Sequence, residues 1–115
     1  MDNAADLNFR PLNKENVCPE TRSLLITGEA ILDAYHDGIT QLIITSKRLL
    51  LAKSSEGFFN TSAEFVTWPY ALIASFDFKS ESVSTLTVSF KNGQTFSCRF
   101  SRGCNVFRLC RIIGQ

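Results

Sequence analysis

With 115 residues, 44% of them hydrophobic and ten of them Phe, the chain can build one core and is too short for two. Its 12 basic and 11 acidic side chains nearly cancel, so no net field steers it onto nucleic acid or an anionic membrane. No apolar run approaches the roughly 20 residues that span a bilayer, and Met1-Asp2-Asn3-Ala4-Ala5-Asp6 lacks the basic start and apolar stretch of a secretory signal, so the chain reads as cytoplasmic.

Residues 1–18 show no sustained periodicity and carry Asn, Asp, Lys and Pro. They bury too little apolar surface to offset the entropy of ordering, which predicts a flexible lead-in and a domain over 19–115. Pro19-Glu20-Thr21-Arg22-Ser23-Leu24-Leu25 puts a proline and a carboxylate in a first helical turn, predicting a short helix before Gly28.

From Gly28 the pattern is β. Glu29 to Tyr35 reads as a first strand and Asp37-Gly38 as a two-residue turn, since both types tolerate positive φ. A second strand follows over about Ile39 to Thr45 and a third over Arg48 to Lys53. Their apolar runs, Leu42-Ile43-Ile44 and Leu49-Leu50-Leu51, flank a short polar turn and so predict a tight strand pair. Ser54 to Ser62 is a polar loop interrupted by Phe58-Phe59, and Ala63 to Trp68 is the fourth strand. In the fifth, Leu72 to Phe78, alternation sets Leu72, Ala74, Phe76 and Phe78 on one face and Ile73, Ser75 and Asp77 on the other.

The last two strands fix their own turn. A two-residue Asn92-Gly93 loop would set Phe90 opposite Thr95, Val88 opposite Ser97 and Leu86 opposite Arg99, pairing each apolar residue with a polar one. A three-residue loop, Lys91-Asn92-Gly93, instead puts Phe90, Val88 and Leu86 on the face of Phe96, Cys98 and Phe100. The pattern therefore predicts a type I turn closing in a bulge with Gly93 left-handed. Beyond Phe100, Val106, Leu109, Cys110 and Ile113 recur at helical spacing between a Ser101 cap and Gly114, with Cys104, Arg108 and Arg111 on the solvent side. Seven strands and a C-terminal helix plugging the open end of a curled sheet is the layout this adds up to.

Gly28-Glu29-Ala30-Ile31 with Ala34-Tyr35, then Ile44-Thr45-Ser46-Lys47-Arg48-Leu49, then Trp68-Pro69-Tyr70 with Ile73 and Phe76, resembles the bacterial PH-like domains of the pleckstrin-homology superfold. The likeness covers about Pro19 to Gly114. It implies a mainly β, partly open seven-stranded antiparallel barrel capped by a C-terminal α-helix, and a tendency to form homo-oligomers. Trp68 before Pro69 and the 54–62 loop depart from the family's frequent pattern.

Candidate sites are few. Cys18, Cys98, Cys104 and Cys110 include no Cys-x-x-Cys pair and lie far from His36, the lone histidine, so they read as reduced thiols and not as a zinc site. Cys104, near a helix start with Arg108 a turn on, has surroundings that favour a thiolate, but no base accompanies it in the sequence. The hairpin His36-Asp37-Gly38 lacks the Lys/Arg cluster a phosphoinositide needs. His36 reads as an exposed tip residue, and Trp68 and Tyr70 as packing residues. Lys47 and Arg48 could contact an acidic partner, although a solvated turn with Arg48 paired to a carboxylate explains them as well. Phe58 and Phe59 are the strongest candidates: adjacent strand-geometry aromatics cannot both enter one core, so either one is open to a partner or the loop folds back over the barrel end and buries both. These features predict a non-enzymatic module without cofactor or metal, acting through an unidentified protein partner and homo-oligomeric assembly. The alternative is a peripheral lipid-binding module, with Phe58 and Phe59 inserting and Lys53 and Lys79 near the headgroups.

Overall fold

Alternating apolar strands need a second layer to cover their inner face, and here the chain supplies it by folding its own sheet over. A computed structural model describes residues 8–56, 61–79, 83–101, 104, 111 and 112, with 54–56 and 61–63 described by backbone alone. Its strands are β1 (Asn8–Pro11), β2 (Ile31–His36), β3 (Thr40–Thr45), β4 (Arg48–Glu56), β5 (Thr61–Pro69), β6 (Ile73–Lys79), β7 (Ser84–Phe90) and β8 (Thr95–Phe100). Among the described residues they are joined by a short helix, α1 (Pro19–Leu24), and by 3-10 turns at Lys14–Asn16 and Tyr70–Leu72. The order β5-β4-β3-β2-β1-β8-β7-β6 is a sheet that does not close, with β5 and β6 at its two ends.

Residues of both halves form the main core. Tyr35, Leu42, Ile44, Leu49, Leu51 and Trp68 come from β2 to β5, and Leu86, Val88, Phe90, Phe96, Cys98 and Phe100 from β7 and β8. Trp68 stacks on Phe90 with ring centroids 4.8 Å apart, and Tyr35 meets Phe100 edge-on at 5.0 Å. Such offset and edge contacts are the arrangements that ring quadrupoles favour.

The amino-terminal segment departs from expectation. Where a structureless lead-in is predicted, Asn8–Pro11 forms β1, which pairs antiparallel with β2 and parallel with β8 and so joins the two halves. Phe9 is fully buried between them and packs on Phe100. Leu12, Val17 and Leu25 then cover Ala34, Ile43 and Leu50 on the outer face of the first half. Hydrogen bonds hold this strap down: the Cys18 N–H donates to Gln41 Oε1 at 3.0 Å, and the Leu12 N–H donates to the Ala34 carbonyl. Segment 8–25 is ordered by strand pairing and by contacts distant in sequence, which local composition does not record. It also explains why Leu42-Ile43-Ile44 and Leu49-Leu50-Leu51 are continuous apolar runs: both faces are buried.

The predicted helix and strand pairs form with small shifts. The first hairpin loop is Gly38-Ile39, one residue on from the expected Asp37-Gly38, and the Asp37 N–H donates to the Thr40 carbonyl. Gly38 alone has positive φ there, and the Asp37 carboxylate accepts from the Ile39 and Thr40 N–H groups, fixing the tip. β4 and β5 run on past the expected ends, pairing as far as Glu56 with Thr61, so residues 54–56 and 61–62 belong to strands and not to the anticipated 54–62 loop. Phe58 and Phe59 lie outside the described residues. In β6 a bulge at Ala74 breaks the simple alternation: Ile73 pairs with Phe90 and Ser75 with Ser89. Ile73 therefore joins Phe76 and Phe78 against the core, while Leu72 and Ala74 are exposed.

The β7–β8 hairpin forms as predicted. Val88 faces Phe96 and Leu86 faces Cys98, the Gly93 N–H donates to the Phe90 carbonyl, and Gly93 has φ +89°. The carboxy-terminal helix over Val106 to Ile113 falls largely outside the described residues. Arg111 and Ile112 have helical backbone, Arg111 exposed and Ile112 packed against the main core. Cys104 corrects its expectation, since it also packs on that core instead of facing solvent.

Candidate functional site

The three motifs that carry the family resemblance meet at one end of the first half. Glu29, just before β2, is enclosed so that its side chain has no exposed surface. Arg48, at the start of β4, donates from Nε to Glu29 Oε2 at 2.9 Å and from Nη2 to Oε1 at 3.0 Å, the planar fork that suits a carboxylate. The same Nη2 also donates to the Leu24 carbonyl. Thr45 donates from its hydroxyl to Glu29 Oε2 at 2.6 Å and accepts the N–H groups of Lys47 and Arg48, tying the β3–β4 turn to the pair. Tyr70 reaches across from the far end of β5 and donates to the Thr45 carbonyl at 2.6 Å. Ser46 accepts the Ala30 N–H and closes the entry to β2.

Burial disfavours the Glu29 charge, but the bonds from Arg48, Thr45 and the Ile26 N–H outweigh it and hold the carboxyl below its ordinary range. The Tyr70 phenol moves the opposite way, raised by burial and then by the Glu29 charge. Both groups are thus locked in one protonation state near neutrality. They are fixed as parts of one brace, Glu29 by Arg48, Thr45 and the Ile26 N–H, and Tyr70 by the Thr45 carbonyl.

Lys47 and Arg48 consequently separate in role. Lys47 is exposed at the turn, whereas Arg48 is engaged by Glu29, the carboxylate pairing anticipated as the plainer explanation. Sequence reasoning named Arg48 but missed Glu29, 19 residues away; the one available signal was a carboxylate following Gly28 in an otherwise apolar strand entry. Trp68 sits in the core and Tyr70 in the brace, so both are packing residues. His36 is half-buried, in register between Arg10 and Gln41, and not an exposed tip.

Two depressions mark the surface of the described residues. A shallow pocket of about 100 Å³ is lined by Cys18, His36, Gly38, Ile39, Gln41, Ala52 and Lys53, small against the several hundred Å³ of an ordinary ligand site. A wide, open depression of about 490 Å³ lies among Asn8, Arg10, Asp37, Val83 and Ser101. Among the described residues no three His, Cys, Asp or Glu side chains cluster as metal ligands. Cys104 donates weakly to the Phe9 carbonyl at 3.6 Å, and its thiol is pushed up by burial, which opposes the thiolate that the sequence context suggested.

No protein-family model matches the chain, and no curated protein matches it. Solved structures do. A protein of the DUF1696 family with a pleckstrin-homology domain, from Shewanella loihica, superposes with a TM-score of 0.78 at 18% identity, covering 94% of this chain and 96% of that one. A pleckstrin homology domain from Shewanella amazonensis superposes with a TM-score of 0.62 at 21% identity, covering 83% of this chain and 89% of that one.

Proposed function

We propose that this chain, a mainly β protein of pleckstrin-homology fold, is a non-enzymatic interaction module that works through protein contacts, self-association among them. The carrying observation is the unclosed sheet: β5 and β6 end it, each paired on one side with a neighbouring strand. An open strand edge presents main-chain donors and acceptors that another chain can complete. The chemistry of the best-built polar cluster supports the same reading, because Glu29, Arg48, Thr45 and Tyr70 bond one another. Among the described residues no helix is long and apolar enough to cross a membrane, and a cytoplasmic setting, with thiols kept reduced, is part of this proposal.

Sedimentation of the purified protein without lipid tests it. The expected result is a species heavier than a monomer, with an interface on the order of 1,000 Å² or more. A strict monomer at high concentration overturns self-association. Lipid docking is the second reading, favoured by Ile39, 65% exposed at the β2–β3 turn, and Val83, 44% exposed before β7. Salt-sensitive co-sedimentation with anionic vesicles, lost in a Phe58→Ser, Phe59→Ser variant, would move the function to that reading.

A further inference from the structure

Along the chain every cysteine lies far from the single histidine, and folding reverses this for one of them. His36, at the end of β2, is the register partner of Gln41 on β3, so the two side chains stand side by side on the outer face of the sheet. Gln41 Oε1 in turn accepts the Cys18 N–H at 3.0 Å, where the strap crosses that face. The Cys18 thiol and the His36 imidazole are thereby brought to one pocket of about 100 Å³.

Both groups have bonding capacity left over. Among the described residues no hydrogen bond or ion pair engages the half-buried His36 imidazole. Cys18 Sγ lies 3.3 Å from Oγ1 of Thr21, a fully buried hydroxyl placed to donate to a thiolate and fix its direction. The pocket is too small for an organic ligand and suits a single ion. Its other walls decide which ion. Lys53 adds a positive charge, and no carboxylate stands among the described lining residues. A divalent ion on one thiolate would leave a further positive charge beside Lys53, and zinc calls for a tetrahedral ligand set that these residues do not complete. A monovalent soft ion held by one thiolate and one neutral imidazole carries no net charge, and thiolate and imidazole are ligands that copper(I) favours.

We infer that Cys18 and His36 bind a monovalent soft metal ion, of the copper(I) and silver(I) class, between the strap and the β2–β3 hairpin. On binding, the Cys18 S–H bond breaks and its proton passes to solvent, a sulfur–metal bond forms, and one ring nitrogen of His36 gives its lone pair; the oxidation state of the metal does not change. The Thr21 hydroxyl then donates to the thiolate. Cys98 is buried within the main core and Cys104 packs against it, so neither belongs to this site. The ion joins the strap to β2, two segments that the chain otherwise holds together here through Gln41.

Silver(I) titration of the intact, reduced chain, followed by the ring-nitrogen NMR resonances of its single histidine, reads this without any substitution. The first equivalent bound should shift one ring nitrogen of His36 and protect Cys18 from a thiol reagent. Cys18→Ser should abolish the histidine shift, and Cys104→Ser should leave it in place. Under anaerobic competition with a colorimetric chelator, Thr21→Val should weaken copper(I) binding by roughly tenfold, as loss of an outer partner does, and His36→Gln should weaken it further. Histidine resonances that stay unmoved by the first equivalent, or a shift that survives Cys18→Ser, overturn the site. Zinc(II) bound more tightly than copper(I) at the same two residues overturns the assignment to a soft monovalent ion.

Discussion

Glu29 and Arg48 show how a single buried carboxylate can organise one end of a small domain. Glu29→Ala leaves the guanidinium without its carboxylate while Arg48 retains a fifth of its side-chain surface in water. The expected loss is about 3 kcal/mol, the lower end for a broken buried pair, read from urea unfolding midpoints. The pH dependence has a definite sign. Because folding lowers the Glu29 pKa, its contribution is present above the unfolded carboxylate value near 4.5 and is lost as pH falls below it towards the folded value. Glu29→Gln should therefore flatten the acid limb of the stability profile; an unchanged limb would assign acid unfolding to other carboxylates. At Gly93, φ +89° is a backbone that β-branched residues resist, so Gly93→Val should cost about 1 to 2 kcal/mol in thermal or urea unfolding. The open space around its Cβ position means that conformation, not a clash, sets the cost.

Among the elements, β1 has the largest effect for its length. Four residues supply the strand that links β2 to β8, and Phe9 fills the junction. Phe9→Ala should destabilise the fold by about 3 to 5 kcal/mol, since the rigid frame around a buried ring collapses only partly. A chain begun at Pro19, which composition alone would call harmless, should fail to give a cooperative unfolding transition; a truncated chain with the full-length midpoint would show that β1 and the strap contribute nothing. The β7–β8 hairpin stands at the other extreme. Its period-2 pattern and turn residues lie within the continuous stretch from Ser84 to Phe100, so its register is a local property and was legible in advance. The bulge in β6 was not, because alternation read along one strand cannot show where the partner strand skips a residue.

For the whole molecule, the two halves share one core. Trp68, the single tryptophan, stacks on Phe90 across them. Its fluorescence should change in the same transition as far-UV circular dichroism during urea unfolding, as a domain of this size with one core unfolds all-or-none. Separate midpoints would mean that the β2–β5 half and the β6–β8 half unfold independently. Trp68→Leu combined with Phe90→Leu should show a coupling of about 1 kcal/mol in a double-mutant cycle, the contribution of the ring stack beyond burial.

The strands from Glu29 onward, the short helix at Pro19, the left-handed Gly93 and the aromatic core were all readable from the chain, because periodicity, turn conformation and capping act over a few residues. The family resemblance was readable for the same reason: Thr45-Ser46-Lys47-Arg48 and Trp68-Pro69-Tyr70 are short and contiguous. Only the folded chain decided that Arg48 meets Glu29, that Tyr70 reaches Thr45, and that Asn8–Pro11 closes the gap between β2 and β8. Each of these contacts joins segments roughly 20 to 90 residues apart, and its stability comes from desolvation and pairing that exist only after both segments are in place. Which edge of the sheet stays open is decided in the same way, by the order of strands and not by any one of them.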